Sequence, residues 1–281
     1  MHAIQTSGNC IRNVTADHLA GVAPDEIEDP RIYCEIIRQW STFHPEFSYL
    51  PRKFKIAVTG AAHDRAAAQV HDIGLNLLRN DQGEIGFRVL VGGGLGRTPL
   101  IGRVIREFLP QRDLLTYLEA ILRVYNQHGR RDNIYKARIK ILVKALGPTK
   151  FGAQVEAEWE QIKDSGLTLD EAEIERVRRY FAPPPYQPDA ARDLSFGQWL
   201  KGDKAFAAWV RRNVADHKVE GYRNVFVALK EPGAPPGDIS AGQMDAVADL
   251  ADRYSFGQIR ATHHQNLLLT DVRQADLYPL W

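Results

Sequence analysis

Cysteine is scarce: the 281-residue chain holds two, Cys10 and Cys34. That excludes a disulfide scaffold, and it excludes a four-thiolate metal site supplied by this chain alone. Long apolar runs are missing too. The longest candidate, 139–146, is interrupted by Lys140 and Lys144, far short of the roughly 18 residues a membrane span needs. Charge of one sign is lacking in the total, since 36 Lys and Arg against 35 Asp and Glu leave +1; a globally basic nucleic-acid binder is excluded. Hydrophobic residues at 44% and charged residues at 25% rule out a broadly disordered chain. Met1-His2-Ala3-Ile4-Gln5 shows no charged segment running into an apolar core, the mark of an export leader. With so few thiols, this predicts a cytoplasmic protein.

What is present is locally patterned. Asp29 and Pro30 predict the start of a helix, a capping carboxylate and a first-turn proline ahead of Ile32, Ile36, Ile37 and Trp40 at helical spacing. Residues 52–58 read as a strand. Ile73, Leu75 and Leu77 alternate as another, and Asp81-Gln82-Gly83 turns the chain into a hairpin partner over 84–91. An apolar stripe from Leu114 to Tyr125 predicts a helix over 113–128. A basic helix is expected over 133–146, stopped by Gly147-Pro148, with Thr149 capping the next. Thr168-Leu169-Asp170-Glu171 fits a capping box for a helix over 169–180. Pro183-Pro184-Pro185-Tyr186-Gln187-Pro188 reads as a linker. Beyond it come a strand over 222–230, a helix over 241–253 capped by Ser240, and short strands over 258–263 and 266–270. That order suits half of a ferredoxin-like α+β sandwich.

The chemistry-bearing segments are few. Gly92-Gly93-Gly94-Leu95-Gly96 follows a strand, where glycines let backbone N–H groups approach an anion or simply make a turn. It is no dinucleotide fingerprint, because position 97 is Arg97, and no phosphate loop, because no Gly-Lys-Ser/Thr follows. Lys53 and Lys55 fall on one face of the strand, where two ammonium groups repel unless an anion sits between them; an edge strand guarded by lysines is the plainer reading. Arg12 is suited to a small oxyanion or to solvent. Cys10 reads as a small buried side chain rather than a nucleophile. Lys136 and Lys140 would share a helical face in a stretch, 133–147, that has no acidic residue; a ligand with several carboxylates or a solvated face would explain it. His263 and His264, adjacent on a strand, would point to opposite faces and make poor co-ligands.

In order along the chain, these segments resemble the sirohaem-dependent nitrite and sulfite reductases. The resemblance is carried by Thr6-Ser7-Gly8-Asn9-Cys10-Ile11-Arg12-Asn13, Tyr49-Leu50-Pro51-Arg52-Lys53-Phe54-Lys55, the glycine run 92–96, and Gly129-Arg130-Arg131-Asp132. The basic stretch through Lys140 and His264-Gln265-Asn266-Leu267 complete it. It implies a mixed α/β, α+β-type fold: a sirohaem-domain half over 1–182, a linker over 183–193 and a ferredoxin-like half-domain over 194–281. It implies six-electron reduction of sulfite to sulfide or nitrite to ammonia, on a sirohaem joined to a 4Fe-4S cluster through a shared cysteine thiolate. Ferredoxin or a flavoprotein reductase would be the electron donor, with neither nucleic acid nor membrane as partner. Sirohaem carries eight carboxylates, which a pocket rich in Arg and Lys would suit. By resemblance Arg12, Lys53 and Lys55 face the substrate anion; Arg52, Arg131, Lys136, Arg138 and Lys140 meet sirohaem carboxylates; Gly92, Gly93, Gly94 and Gln265 are further wall contacts.

The departures are specific. The family's four cluster cysteines follow the second half-domain and would fall beyond Trp281, and the upstream arginine-bearing segment that completes the distal pocket is not found. The resemblance therefore implies an internal piece of a longer reductase, inactive alone. Two other readings stay open: an anion- or nucleotide-binding module without redox chemistry, and a related enzyme of tetrapyrrole biosynthesis.

Overall fold

The computed structural model describes residues 8–192 and 194–281. Its contacts group into two units: residues up to Ala16 with Glu26–Phe181, and Asp17–Asp25 with Ala182–Trp281. Among the described residues no helix is long and apolar enough to cross a membrane. The fold class is mixed α/β, with a sheet and helices in each unit.

The first unit is built on strands β1 (Ile11–Thr15), β2 (Phe54–Thr59), β3 (Ile73–Arg79), β4 (Ile85–Val91) and β5 (Arg103–Pro110), in spatial order β1-β2-β3-β4-β5. The first three run parallel and the last two pairings are antiparallel. Helix α1 (Pro30–Ser41) carries the chain from β1 to β2. Asp29 caps it by accepting from Arg31 N–H, Pro30 opens its first turn, and Ile32, Ile36 and Ile37 are buried, as the spacing predicts. The hairpin β3–β4 turns through Asp81-Gln82-Gly83, with Gly83 at φ 83°. Helices α2 (Leu114–His128), α3 (Ile139–Leu146), α4 (Pro148–Ile162) and α5 (Glu171–Arg178) complete the unit. One core joins α1, α2, α4 and the sheet, with Tyr33, Phe54, Phe87, Tyr117, Tyr125 and Phe151 fully buried.

Three local expectations are corrected. The basic helix does not start near 133 but at Ile139, because Arg138 is extended (φ −68°, ψ 148°) and Asn133 makes a turn, its Oδ1 accepting from Tyr135 N–H and its carbonyl from Lys136 N–H. Lys136 and Lys140 therefore do not share a helical face. Thr149 is not a cap: Gly147, at φ 80°, ends α3 and starts α4, with Pro148 in the first turn. Nor does Thr168 form a capping box, since its hydroxyl donates to Lys163 and Ser165 carbonyls while Asp170 caps α5.

The second unit has an antiparallel sheet in the order β6 (Val214–Asp216), β7 (Tyr222–Ala228), β9 (Asn266–Arg273), β8 (Arg260–Ala261). Its helices are α6 (Ser195–Gly202), α7 (Lys204–Asn213), α8 (Ala241–Tyr254) and α9 (Leu277–Leu280). The expected strand–helix–strand–strand run is β7-α8-β8-β9, and α8 carries the capping box of Ser240 and Gln243. Helices α6 and α7 add Trp199 and Trp209 to the packing around Phe206, Val225, Leu269 and Leu277. Residues 17–25 are tied in through Arg260 Nη1, which donates to the carbonyls of His18 (3.1 Å) and Ala20 (2.6 Å), and through Lys218 N–H to Val22 O (2.8 Å).

Candidate functional site

Parallel pairing of β1 and β2 assembles the first cluster. Leu50 N–H donates to Asn9 O (2.8 Å) and Phe54 N–H to Cys10 O (2.9 Å), and Asn13 pairs with Lys55. Residues 50–55 are thereby laid beside 9–13. Phe54 fills the core on one side of the backbone, which leaves Lys53 and Lys55 to the other. Lys53 is pushed below the ordinary lysine range by partial burial first, then by the charges of Arg12, Arg52, Lys55 and Arg138. Arg12 is steadied by its Nε donating to Gly8 O (2.9 Å). Like charges this close favour an anion between them.

A cleft of about 700 Å³ adjoins this cluster, within the size range of small-molecule sites. Arg52, Lys53, Arg97, Arg130, Lys136, Arg138, Lys140 and Lys144 line it, together with Leu95, Thr98, Ile134, Tyr135 and Ile141; no carboxylate is in the wall. Tyr135 is 89% and Leu95 63% exposed, with Ile134 also exposed, so an apolar rim accompanies the cations. The donor set suits a ligand with several carboxylates on an apolar body.

The glycine run shapes one wall through sterics. Gly92 sits at φ 86° against Val143. A Cβ on Gly93 would lie 2.4 Å from Gln69 O and 2.6 Å from His71 O, so only glycine passes there. Gly94 exchanges two backbone hydrogen bonds with Leu100 (both 2.9 Å), closing the loop 95–99. Lys140, 7% exposed, reaches back from α3 to donate to Thr98 O (2.5 Å) and Leu95 O (3.2 Å). Burial first, then Arg138, lowers its proton affinity, while Asp72 opposes that.

Of the residues singled out by sequence, Arg12, Lys53 and Lys55 come together, and Arg52, Lys136, Arg138 and Lys140 share the cleft. Arg131 is not in the lining: Nη1 donates to Tyr49 O (2.9 Å) and Nη2 to Asn126 Oδ1. Gln265 belongs to the second unit, at φ 59°, its Nε2 donating to Pro236 O (3.2 Å). Arg97 and Lys144 were missed; the first hides in the glycine loop and the second at the far end of α3. Asp72 was missed as well. It is 1% exposed and receives Arg138 and the Lys55 N–H; burial pushes its carboxyl up, against the pull of Arg138. The strand reading of His263 and His264 is corrected. They lie in the turn between β8 and β9, where the two Nε2 atoms approach to 2.8 Å. Among the described residues no group of three or more His, Cys, Asp or Glu is arranged to hold a metal ion.

A family model described as nitrite and sulphite reductase 4Fe-4S domain matches residues 7–163, and one described as nitrite/sulfite reductase ferredoxin-like half domain matches 230–281. The chloroplastic ferredoxin–nitrite reductase of Arabidopsis thaliana is 28% identical over 275 residues, covering 96% of this chain and 41% of that protein. Sulfite reductase [ferredoxin] 1 of Mycolicibacterium paratuberculosis is 27% identical over 274 residues, 97% of this chain and 42% of that one. The solved structure of the Mycobacterium tuberculosis NirA protein superposes with a TM-score of 0.69 at 27% identity, over 98% of this chain and 43% of that chain. The chain thus spans less than half the length of these relatives.

Proposed function

The chain belongs to the nitrite and sulphite reductase family, and from that premise we propose that its cleft receives the carboxylates of a sirohaem while Arg12, Lys53 and Lys55 face a small anion, sulfite or nitrite. The observation that carries this is the cleft wall: eight cations, no carboxylate and an exposed apolar rim around about 700 Å³. A macrocycle ringed by carboxylates matches both features. Arg52, Arg97, Lys136, Arg138 and Lys144 would hold its carboxylates, and Lys140 shapes the wall from behind.

A bound sirohaem would supply the redox-active iron chemistry for reducing the anion. The chain's own residues handle charge and protons. Arg12, Lys53 and Lys55 draw the anion in and oppose its negative charge. Lys53 gives up its proton more readily than an ordinary lysine, which suits it to protonate an oxygen departing as water. Sulfite takes six electrons and six protons to become sulfide and three waters; nitrite takes six electrons and eight protons to become ammonium and two waters. The donor would be a ferredoxin, the class that the Arabidopsis and Mycolicibacterium relatives are named for. A 4Fe-4S cluster does not fit the residues present, since clusters are held by thiolates and the chain has two cysteines. No step is assigned through it.

Absorbance titration of the chain with sirohaem tests the reading; saturable binding is expected. In the complete reductase, Lys53→Met is expected to leave sirohaem bound and to cut sulfite or nitrite turnover by about a hundredfold or more. Absent binding, or wild-type turnover in the variant, would overturn it.

A further inference from the structure

Beneath the cationic cleft lies one buried carboxylate. Asp72, just ahead of β3, accepts Nη2 (2.6 Å) and Nε (3.1 Å) of Arg138 on Oδ1, and the Lys55 N–H (3.0 Å) on Oδ2. One 1%-exposed acid thus gathers donors from two elements that line or border the cleft. Arg138 passes from it alongside Gly94, where a Cβ would lie 3.2 Å from Nη2 and 3.0 Å from Lys140 Cδ. The arginine therefore occupies a slot with a carboxylate on one side and a glycine on the other. Its Nη1 has no hydrogen-bond partner among the described residues, and Arg138 lines the cleft.

We propose that Asp72 is a positioning residue: it grips one edge of the Arg138 guanidinium so that Nη1 is left for a ligand carboxylate, and Gly94 keeps the slot open. The inference rests on the reading of the cleft as a polycarboxylate site. A buried acid here could have either of two effects, and they differ in sign. If Asp72 merely dilutes the positive charge, removing its charge makes the cleft more cationic and tightens a polyanion. If it positions Arg138, removing the charge frees the guanidinium, and binding weakens although the cleft and its surroundings have lost a negative charge.

Mellitate (benzenehexacarboxylate) and sirohaem are titrated separately into the whole chain by calorimetry and absorbance. The proteins compared are wild type, Asp72→Asn, Gly94→Ala, Arg138→Met and the double variant Asp72→Asn/Arg138→Met. The Arg138 Nε–Hε resonance is followed by ¹⁵N NMR in the ligand-free protein. Asp72→Asn is expected to weaken mellitate about tenfold, the worth of one charge-assisted hydrogen bond, and to shift or broaden the Arg138 resonance. The same substitution in the Arg138→Met background should change nothing further. Gly94→Ala, which leaves Asp72 charged, should weaken mellitate in the same direction and carries the test if Asp72→Asn does not fold. Unchanged or tighter mellitate binding by Asp72→Asn overturns the inference, and so does a loss that persists without Arg138. Wild type that binds mellitate but not sirohaem overturns the sirohaem reading and leaves Asp72 to be judged on mellitate. Wild type that binds neither overturns both.

Discussion

Asp271 holds a left-handed backbone position, φ 63°, and is 2% exposed. Tyr186 OH donates to its Oδ1 at 2.6 Å and His217 Nε2 lies 3.1 Å from the same oxygen. His217 Nδ1 accepts from Val219 N–H, which makes Nε2 the protonated nitrogen. Burial alone would raise the carboxyl, but these hydrogen bonds hold it down at about 2, against the ordinary 3.8. A depressed acid contributes stability that is fully present above its unfolded value and lost as pH falls through its folded one. The second unit should therefore lose about 2 kcal/mol as pH drops from about 5 to below 2. Asp271→Asn keeps the backbone conformation, which Asn tolerates, and should flatten that loss while lowering stability near neutrality. Denaturation midpoints followed by tryptophan fluorescence across this pH range check it; the same acid slope in both proteins would contradict the assignment.

At the scale of elements, the glycine run separates two kinds of glycine. Gly93 has backbone oxygens at 2.4 and 2.6 Å from where a Cβ would stand, whereas Gly96 has nothing within 4 Å and only its φ of 97° to satisfy. Gly93→Ala should cost about 1–3 kcal/mol or more through overpacking; Gly96→Ala should cost about 1 kcal/mol through backbone strain. Urea midpoints of the two variants test this, and equal losses would mean that clearance is not what Gly93 provides. Helix α1, the β3–β4 hairpin and α8 were legible because cap, turn and period all lie within a few neighbouring residues. Strand β5 was not, since Arg103-Val104-Ile105-Arg106-Glu107-Phe108 alternates only loosely at an edge, with Arg106 paired to Glu156 of α4 at 2.6 Å. The start of helix α3 is not legible locally: Arg138 is extended, and its side chain bonds to Asp72, 66 positions earlier. The same distance explains the candidate site. The cations could be read from sequence, along with the lack of acids beside them, but their counter-charge is supplied by tertiary contact.

At the scale of the whole molecule, a net charge of +1 conceals a cleft whose charged lining residues are all cationic, and a family model whose description names a 4Fe-4S cluster matches a stretch whose cysteines are Cys10 and Cys34. Under the proposed reading the first feature would serve a tetrapyrrole, whereas the second bears on a cluster, so the two cofactors can be tested separately on this chain. Cys10 precedes β1 and Cys34 lies within α1. Burial raises the Cys10 thiol, and the nearby Arg12 only partly opposes that, which disfavours the thiolate that iron requires. The chain incubated anaerobically with sirohaem, ferrous iron and sulfide is therefore expected to retain tetrapyrrole absorbance after desalting and to carry no acid-labile sulfide. The absorbance should fall as salt in the desalting buffer rises, because carboxylate contacts to exposed arginine and lysine are screened. Stoichiometric labile sulfide would show that two cysteines with non-thiolate ligands suffice for a cluster here, and that the cleft residues are not the chain's whole contribution to the redox centre.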